Sequence, residues 1–200
     1  MLKSTEEKRR IKKAEVANSI IEAAIPMIHD RSFTQISIQE FCEKIGITTG
    51  MFYRSFKTKN DILAVVYSRE SKQALAELVE RVKDLPLAEQ LNELGMTLCS
   101  CSLMFGPNGL LMCLHTAKGG FDCEDFRNDL EQAIQRIVEN SVKNGELLPR
   151  GKTVKAISDD IVILLKGISF EWYSLGDSFD FETRSKDLFE RFVPTIIGSN

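Results

Sequence analysis

The chain has 200 residues, 43% of them hydrophobic and 28% charged, with a formal net charge of -3. That is ample apolar mass for one or two buried cores, while a charged amino end and the lack of any apolar run near the roughly 18 residues that span a bilayer predict a cytoplasmic protein with no membrane partner. The first 60 residues hold 11 Lys or Arg against 7 Asp or Glu and the other 140 hold 15 against 22, so the acidic total conceals a basic amino-terminal portion suited to nucleic acid.

Apolar residues recur at three and four positions throughout and no run alternates as a strand does, which predicts an all-α protein of about nine helices. The first spans about Lys8 to His29 and buries a stripe of Ala17, Ile20, Ile21, Ala24, Ile25 and Ile28, with Pro26 expected to loosen or bend it. The basic run Lys8, Arg9, Arg10, Lys12 and Lys13 is either a solvated face or an arm reaching phosphate or the minor groove. A second helix, about Ser37 to Ile45, has Ser37 as N-cap and Glu40 at the capping-box position, and Gly46 stops it by taking the left-handed conformation. Thr48 caps a third helix whose inward anchors are Ile47, Phe52 and Phe56. Thr48, Thr49, Gly50, Met51, Tyr53 and Arg54 remain for its start and outer side. This division suits a recognition helix in the major groove. Thr58 and Asp61 open a fourth helix that runs to about Val82 and is broken at Asp84-Leu85-Pro86.

The fifth helix covers about Leu87 to Phe105 and ends at Gly106-Pro107-Asn108-Gly109, and a short, greasy sixth runs from about Leu110 to Lys118. A seventh, about Glu124 to Lys143, aligns Phe126, Leu130, Ile134, Ile137 and Val138. The eighth and ninth, about Thr153 to Leu175 and Glu182 to Ile197, carry more apolar residues than one intramolecular face needs. Ile157, Ile161, Leu164 and Ile168 with Leu188, Phe189, Phe192 and Ile196 form the expected partner surface, a plain core being the alternative.

Residues from Ile20 to Leu63 resemble the TetR/AcrR family of bacterial transcription regulators. The likeness rests on Ile20 to Ala24, Phe33, Gly46-Ile47-Thr48, Gly50, Phe52-Tyr53, Phe56-Lys57, Lys59 and Ile62-Leu63. Three positions depart from the family pattern: Pro26 inside the first helix, Ser32 where glycine is usual, and Met51 in place of a small hydroxyl residue. The resemblance implies a helix-turn-helix DNA-binding domain over residues 1–60 and a helical effector-binding and dimerisation domain over 61–200. It implies that Thr49, Gly50, Met51 and Tyr53 enter the groove and that Lys57 and Lys59 meet phosphate. Ser37 and Gln39 start the supporting helix on the opposite groove wall, and Thr48 and its amide suit a phosphate or base edge. Gln39 has the amide to read adenine, and Met51, lacking a strong donor, is expected against a thymine methyl or folded back on the protein.

The resemblance further implies a homodimer on a palindromic double-stranded operator, released by a small apolar effector bound among the later helices. Expected lining is Met96, Met104, Phe105, Met112, His115, Phe121, Phe126, Phe170 and Trp172, with ordinary core as the alternative for each. A competing reading makes Cys99, Cys101, Cys113, His115 and Cys123 a thiol or metal switch. Against it, residues two apart on a helix point about 200 degrees apart, so no metal site is assigned. Five cysteines in apolar helical text read as reduced thiols. No catalytic constellation and no phosphate-binding Gly-rich loop is evident, so a helical enzyme is the remote alternative and no cofactor is expected.

Overall fold

The computed structural model describes residues 5–30, 33–107, 123–146 and 153–197. Among them are eight α-helices and no strand: α1 Thr5–Asp30, α2 Ile38–Ile45, α3 Thr49–Ser55, α4 Asn60–Val82, α5 Leu87–Leu103, α6 Cys123–Lys143, α7 Val154–Leu175 and α8 Phe181–Ile197. Single 3-10 turns lie at Phe33–Gln35 and Gly176–Ser178. The expected short helix at 110–118 lies outside the described residues, as do Met112, Cys113, His115 and Phe121.

The chain divides into two compact units, one of residues up to Val66 together with a segment that begins at Met104, the other of Tyr67–Leu103 together with the residues from Cys123 on. In the amino-terminal unit, α1 packs on both α2 and α3. Its stripe buries Ile20, Ile21, Ala24 and Ile28 and adds Ala23 and Met27, while Ala17 and Ile25 are half-buried. Helix α1 continues through Pro26 to Asp30. Proline has no N–H to donate along the helix, and Pro26 lies on the exposed side, away from the buried stripe. Phe33, Ile36, Phe41, Phe52, Phe56, Ile62 and Leu63 complete this core.

In the second unit the most extensive packing joins α5 to α8, and α6 lies against both α5 and α7. Leu91, Leu94 and Leu98 of α5 meet a core that includes Phe189, Val193 and Ile196 of α8. Gly95 makes the approach possible: a Cβ there would stand 2.3 Å from two atoms of the Phe189 ring. The turn after α6 closes the α4–α5 corner. Asn144 donates to the Lys83 carbonyl at 3.0 Å, and the Glu146 carboxylate accepts the Leu87 N–H at 3.0 Å, capping α5 from another part of the chain. Gln90, fully buried, donates to the Leu85 carbonyl at 2.7 Å and to Ser141 at 3.2 Å.

The stop at the end of α5 works slightly earlier than the sequence suggests: the helix ends at Leu103, and Gly106 takes φ 64°. Helix α7 begins after Thr153, whose hydroxyl accepts from the Ala156 N–H at 3.1 Å. Helix α8 gains a cap the sequence reading missed, Asp180, which accepts from the Thr183 N–H at 3.1 Å. The Thr183 side chain, and after it that N–H, lower the Asp180 pKa from the ordinary carboxyl value.

The expected partner surface requires correction. Ile157, Ile161, Ile168, Phe189 and Ile196 are buried within this chain, because α7 is apolar around most of its circumference and this row faces its own neighbours. Leu164, Leu188 and Phe192 remain half-buried. With Ile163, Gly167, Glu171, Phe179 and Arg184 they line a groove of about 440 Å³ between α7 and α8. Ile163 is 67% exposed and Phe170 57% exposed, so Phe170 lies at the surface and not in the expected pocket.

Candidate nucleic-acid interface

Every feature of the α2–turn–α3 geometry has a local cause. Both arms of the α2 capping box are present: the Glu40 N–H donates to the Ser37 hydroxyl at 3.2 Å and the Ser37 N–H to the Glu40 carboxylate at 2.7 Å. Gly46 closes α2 with φ 70° and ψ 35°, and the Ile47 N–H reaches back to the Cys42 carbonyl at 2.9 Å. Thr48 is extended, and its hydroxyl accepts from the Met51 N–H at 3.3 Å, so it serves first as the α3 cap.

Two aromatic anchors orient α3. Phe52 is fully buried and Phe56 nearly so, their centroids 6.0 Å apart, while Ile47 is half-buried. This turns Thr49, Gly50, Tyr53 and Arg54 outward. Tyr53 is 56% exposed and meets Phe52 edge-on at 5.4 Å, which positions the ring and leaves its hydroxyl outside. Cys42 is buried, and burial pushes its thiol above the ordinary range.

The flanking residues separate into outward and inward groups. Ser37, Gln39 and Lys57 are exposed. Gln39 donates its amide to Glu43 one turn on, at 2.9 Å. The α4 start is fixed by Asp61, whose carboxylate accepts from the N–H groups of Lys57 and Thr58 at 2.8 and 2.9 Å. Lys59 departs from expectation. Its ammonium donates to the carbonyls of Phe33 at 2.8 Å and Ile36 at 2.6 Å and sits 4.4 Å from the Phe33 ring centroid. It is turned toward the fold and not toward a phosphate, joining the Ile36 N–H, at 3.2 Å, as a second donor to the Phe33 carbonyl. Burial lowers its pKa from the ordinary lysine value, and Glu40 acts in the opposite sense. Met51 is half-buried on the side of α3 toward α1.

Among the expected effector residues, Phe105 and Phe126 are buried and Met96 and Met104 half-buried. Phe126 stacks on Tyr67 at 5.7 Å. Trp172 packs on Phe181 at 4.2 Å, which places it in the α7–α8 contact. A groove of about 660 Å³ between α4 and α6, lined by Leu75, Val79 and Ala133 together with charged and amide side chains, includes none of the expected lining residues. The described thiols also weigh against a switch. Cys99 and Cys101 are buried, and desolvation pushes Cys99 up to about 11 and Cys101 upward as well, which disfavours the reactive thiolate. No group of three potential metal ligands occurs among the described residues, and no helix among them is long and apolar enough to cross a membrane.

Residues 20–66 match the family model for bacterial regulatory proteins of the tetR family. A fatty acid metabolism regulator protein of Bacillus subtilis (strain 168) is 21% identical over 184 residues, covering 88% of this chain and 93% of the relative. A TetR-family transcriptional regulator from Pectobacterium atrosepticum superposes with a TM-score of 0.66 at 15% identity, over 95% of this chain and 98% of the other. FadR from Bacillus subtilis, solved in complex with stearoyl-CoA, gives 0.59 at 19% identity, over 91% and 98%. At these identities the superpositions establish a shared fold, while the family match covers the segment whose capped helices and outward α3 face are described above. The matched segment, residues 20–66, is therefore that of the bacterial regulatory proteins of the tetR family, carried on a chain whose described residues share the all-helical fold of the solved TetR-family regulators.

Proposed function

We propose that this regulator is a homodimeric repressor that holds a palindromic operator and leaves it when a small, largely apolar effector binds the portion beyond residue 60. The observation that carries the reading is the division of α3, with Phe52 and Phe56 locked inside and Thr49, Gly50, Tyr53 and Arg54 presented outward. Thr49 and Tyr53 supply hydroxyls for base edge or backbone, Gly50 permits close approach, and Lys57, Ser37 and Gln39 flank them.

Dimerisation is supported by the outer face of α7 and α8. Ile163, Leu164, Phe170, Leu188 and Phe192 make an apolar surface that a lone soluble chain would leave wet. Two reading helices on one particle engage two half-sites together, which raises affinity without new contacts. Release needs no chemistry, because an effector that binds the DNA-incompetent state more tightly draws the population to it; moving it from 1:99 to 99:1 takes about a 10⁴-fold preference. The FadR structure contains stearoyl-CoA, which makes a long-chain acyl thioester the first effector to try.

The test selects duplexes from random sequence with the purified protein, then measures operator affinity with and without stearoyl-CoA and a panel of free fatty acids. A symmetric site released by one of these supports the proposal. Selection of a symmetric site that every apolar ligand leaves untouched would remove the effector class and keep the DNA reading.

A further inference from the structure

Arg9, Lys12 and Lys13 stand at i, i+3 and i+4 of α1 and therefore share one face, which Val16 continues one turn on. Met51 and Arg54 hold the same i, i+3 relation on α3. The fold brings the two faces together around one cleft of about 490 Å³. Its rim is basic: Arg9, Lys12, Lys13 and Arg54 are all exposed, and no carboxylate is among the described lining residues. Its floor is mostly apolar, made by half-buried Val16 and Met51 with Ser55 beside them. Four like charges gathered around one hollow repel each other and favour an anion between them.

The position of the cleft selects the anion. It adjoins the outward side of the recognition helix, with Arg54 following Tyr53 and Met51 following Gly50. From Arg9 to Lys13 the helix rises about 6 Å, a spacing of the order of that between neighbouring phosphates on one strand. The apolar floor suits the sugar between them. We propose that this cleft is a clamp for the sugar–phosphate backbone beside the bases read by α3. Arg9, Lys12, Lys13 and Arg54 straddle successive phosphates, and Val16 and Met51 meet the deoxyribose. Met51 then contributes to affinity and not to base choice, which falls to Thr49 and Tyr53. The inference rests on DNA binding through α3 and extends the contact to a second element.

The test compares the wild-type protein with R9Q/K12Q/K13Q and with R54Q, whose substitutions are all at exposed positions, by anisotropy of a selected duplex and an unrelated one across a range of salt. Each phosphate contact contributes about 0.9 to the slope of log K against log salt. The triple variant should lose about 2 to 3 from that slope for each half-site, so roughly 5 for the dimer on a two-fold site, and weaken on both duplexes alike. Duplexes carrying single neutral methylphosphonate linkages locate the effect: two or three adjacent linkages in each half-site should weaken the wild type and leave the triple variant indifferent. A triple variant with the wild-type slope overturns the clamp. So does equal sensitivity of both proteins to every linkage, or stoichiometric binding of a small anion such as pyrophosphate with the DNA slope intact. A wild-type protein without salt-sensitive affinity for any duplex would sink DNA binding itself, a result distinct from these.

Discussion

Replacing Lys59 by methionine keeps most of the side-chain stem and removes the ammonium. Two charge-assisted bonds are lost, to Phe33 at 2.8 Å and Ile36 at 2.6 Å, together with the cation over the Phe33 ring. A hydrogen bond involving a charged group is worth about 1.5–3 kcal/mol, and a cation–π contact about 0.5–2 kcal/mol. Water can reach part of this half-buried site and re-solvate the carbonyls, so the net cost should lie near 2–3 kcal/mol. For a chain of this size that lowers the melting temperature by roughly 5–10 °C. The assay pairs thermal or urea unfolding with the salt dependence of DNA binding, measured at a temperature where the variant is folded. K59M should be destabilised with its salt slope unchanged. Lys57→Met, at an exposed position, should be near neutral in stability and lower the slope by about 0.9 per phosphate lost. A K59M protein as stable as wild type with a reduced slope would refute the inward role and restore a phosphate contact.

Gly95→Ala forces a methyl group into the Phe189 ring and should destabilise by about 1–3 kcal/mol or more; a variant that melts with wild type would refute the close approach of α5 and α8. Ile163→Glu with Phe170→Glu places charge on the outer face of α7, at positions 67% and 57% exposed, and should give monomers in analytical ultracentrifugation, whereas an intact dimer would move the interface elsewhere. Ile161→Val, in the buried row, should instead cost about 0.5–1.5 kcal/mol without changing the association. Cys99 has its folded pKa raised from 9.0 to about 11. Its contribution is therefore intact below about pH 9 and lost as pH rises toward 11, up to roughly 2–3 kcal/mol in urea unfolding. A Cys99→Ala variant should lose less over that window, and an equal loss in both proteins would contradict the burial of the thiol.

Much of the amino-terminal unit was legible because its determinants are local. Ser37, Glu40, Gly46, Thr48 and Asp61 each act within four residues of their position, and the aromatic pair Phe52 and Phe56 is fixed by helical spacing alone. The direction of Lys59 was not legible, since its partners lie 26 and 23 residues earlier in the chain. The α1–α3 cleft is only half written in sequence: spacing groups Arg9, Lys12 and Lys13, but only the packing of α1 on α3 adds Arg54 and Met51. On α7 the difficulty was an excess of signal. With apolar residues around much of the helix, periodicity cannot say which row meets α8 and which faces out, and the row of Ile157, Ile161 and Ile168 is the one buried within the chain. Glu146 capping α5 from 59 residues away belongs to the same class of non-local effect.

The most direct test of the central claim is the affinity of purified protein for a duplex selected from random sequence, measured across salt alongside Tyr53→Phe and Thr49→Ala. Tight, two-fold symmetric, salt-sensitive binding that relaxes at one base position on Thr49→Ala is the predicted result. Binding that is indifferent to salt, or wholly unchanged by both substitutions, would contradict it.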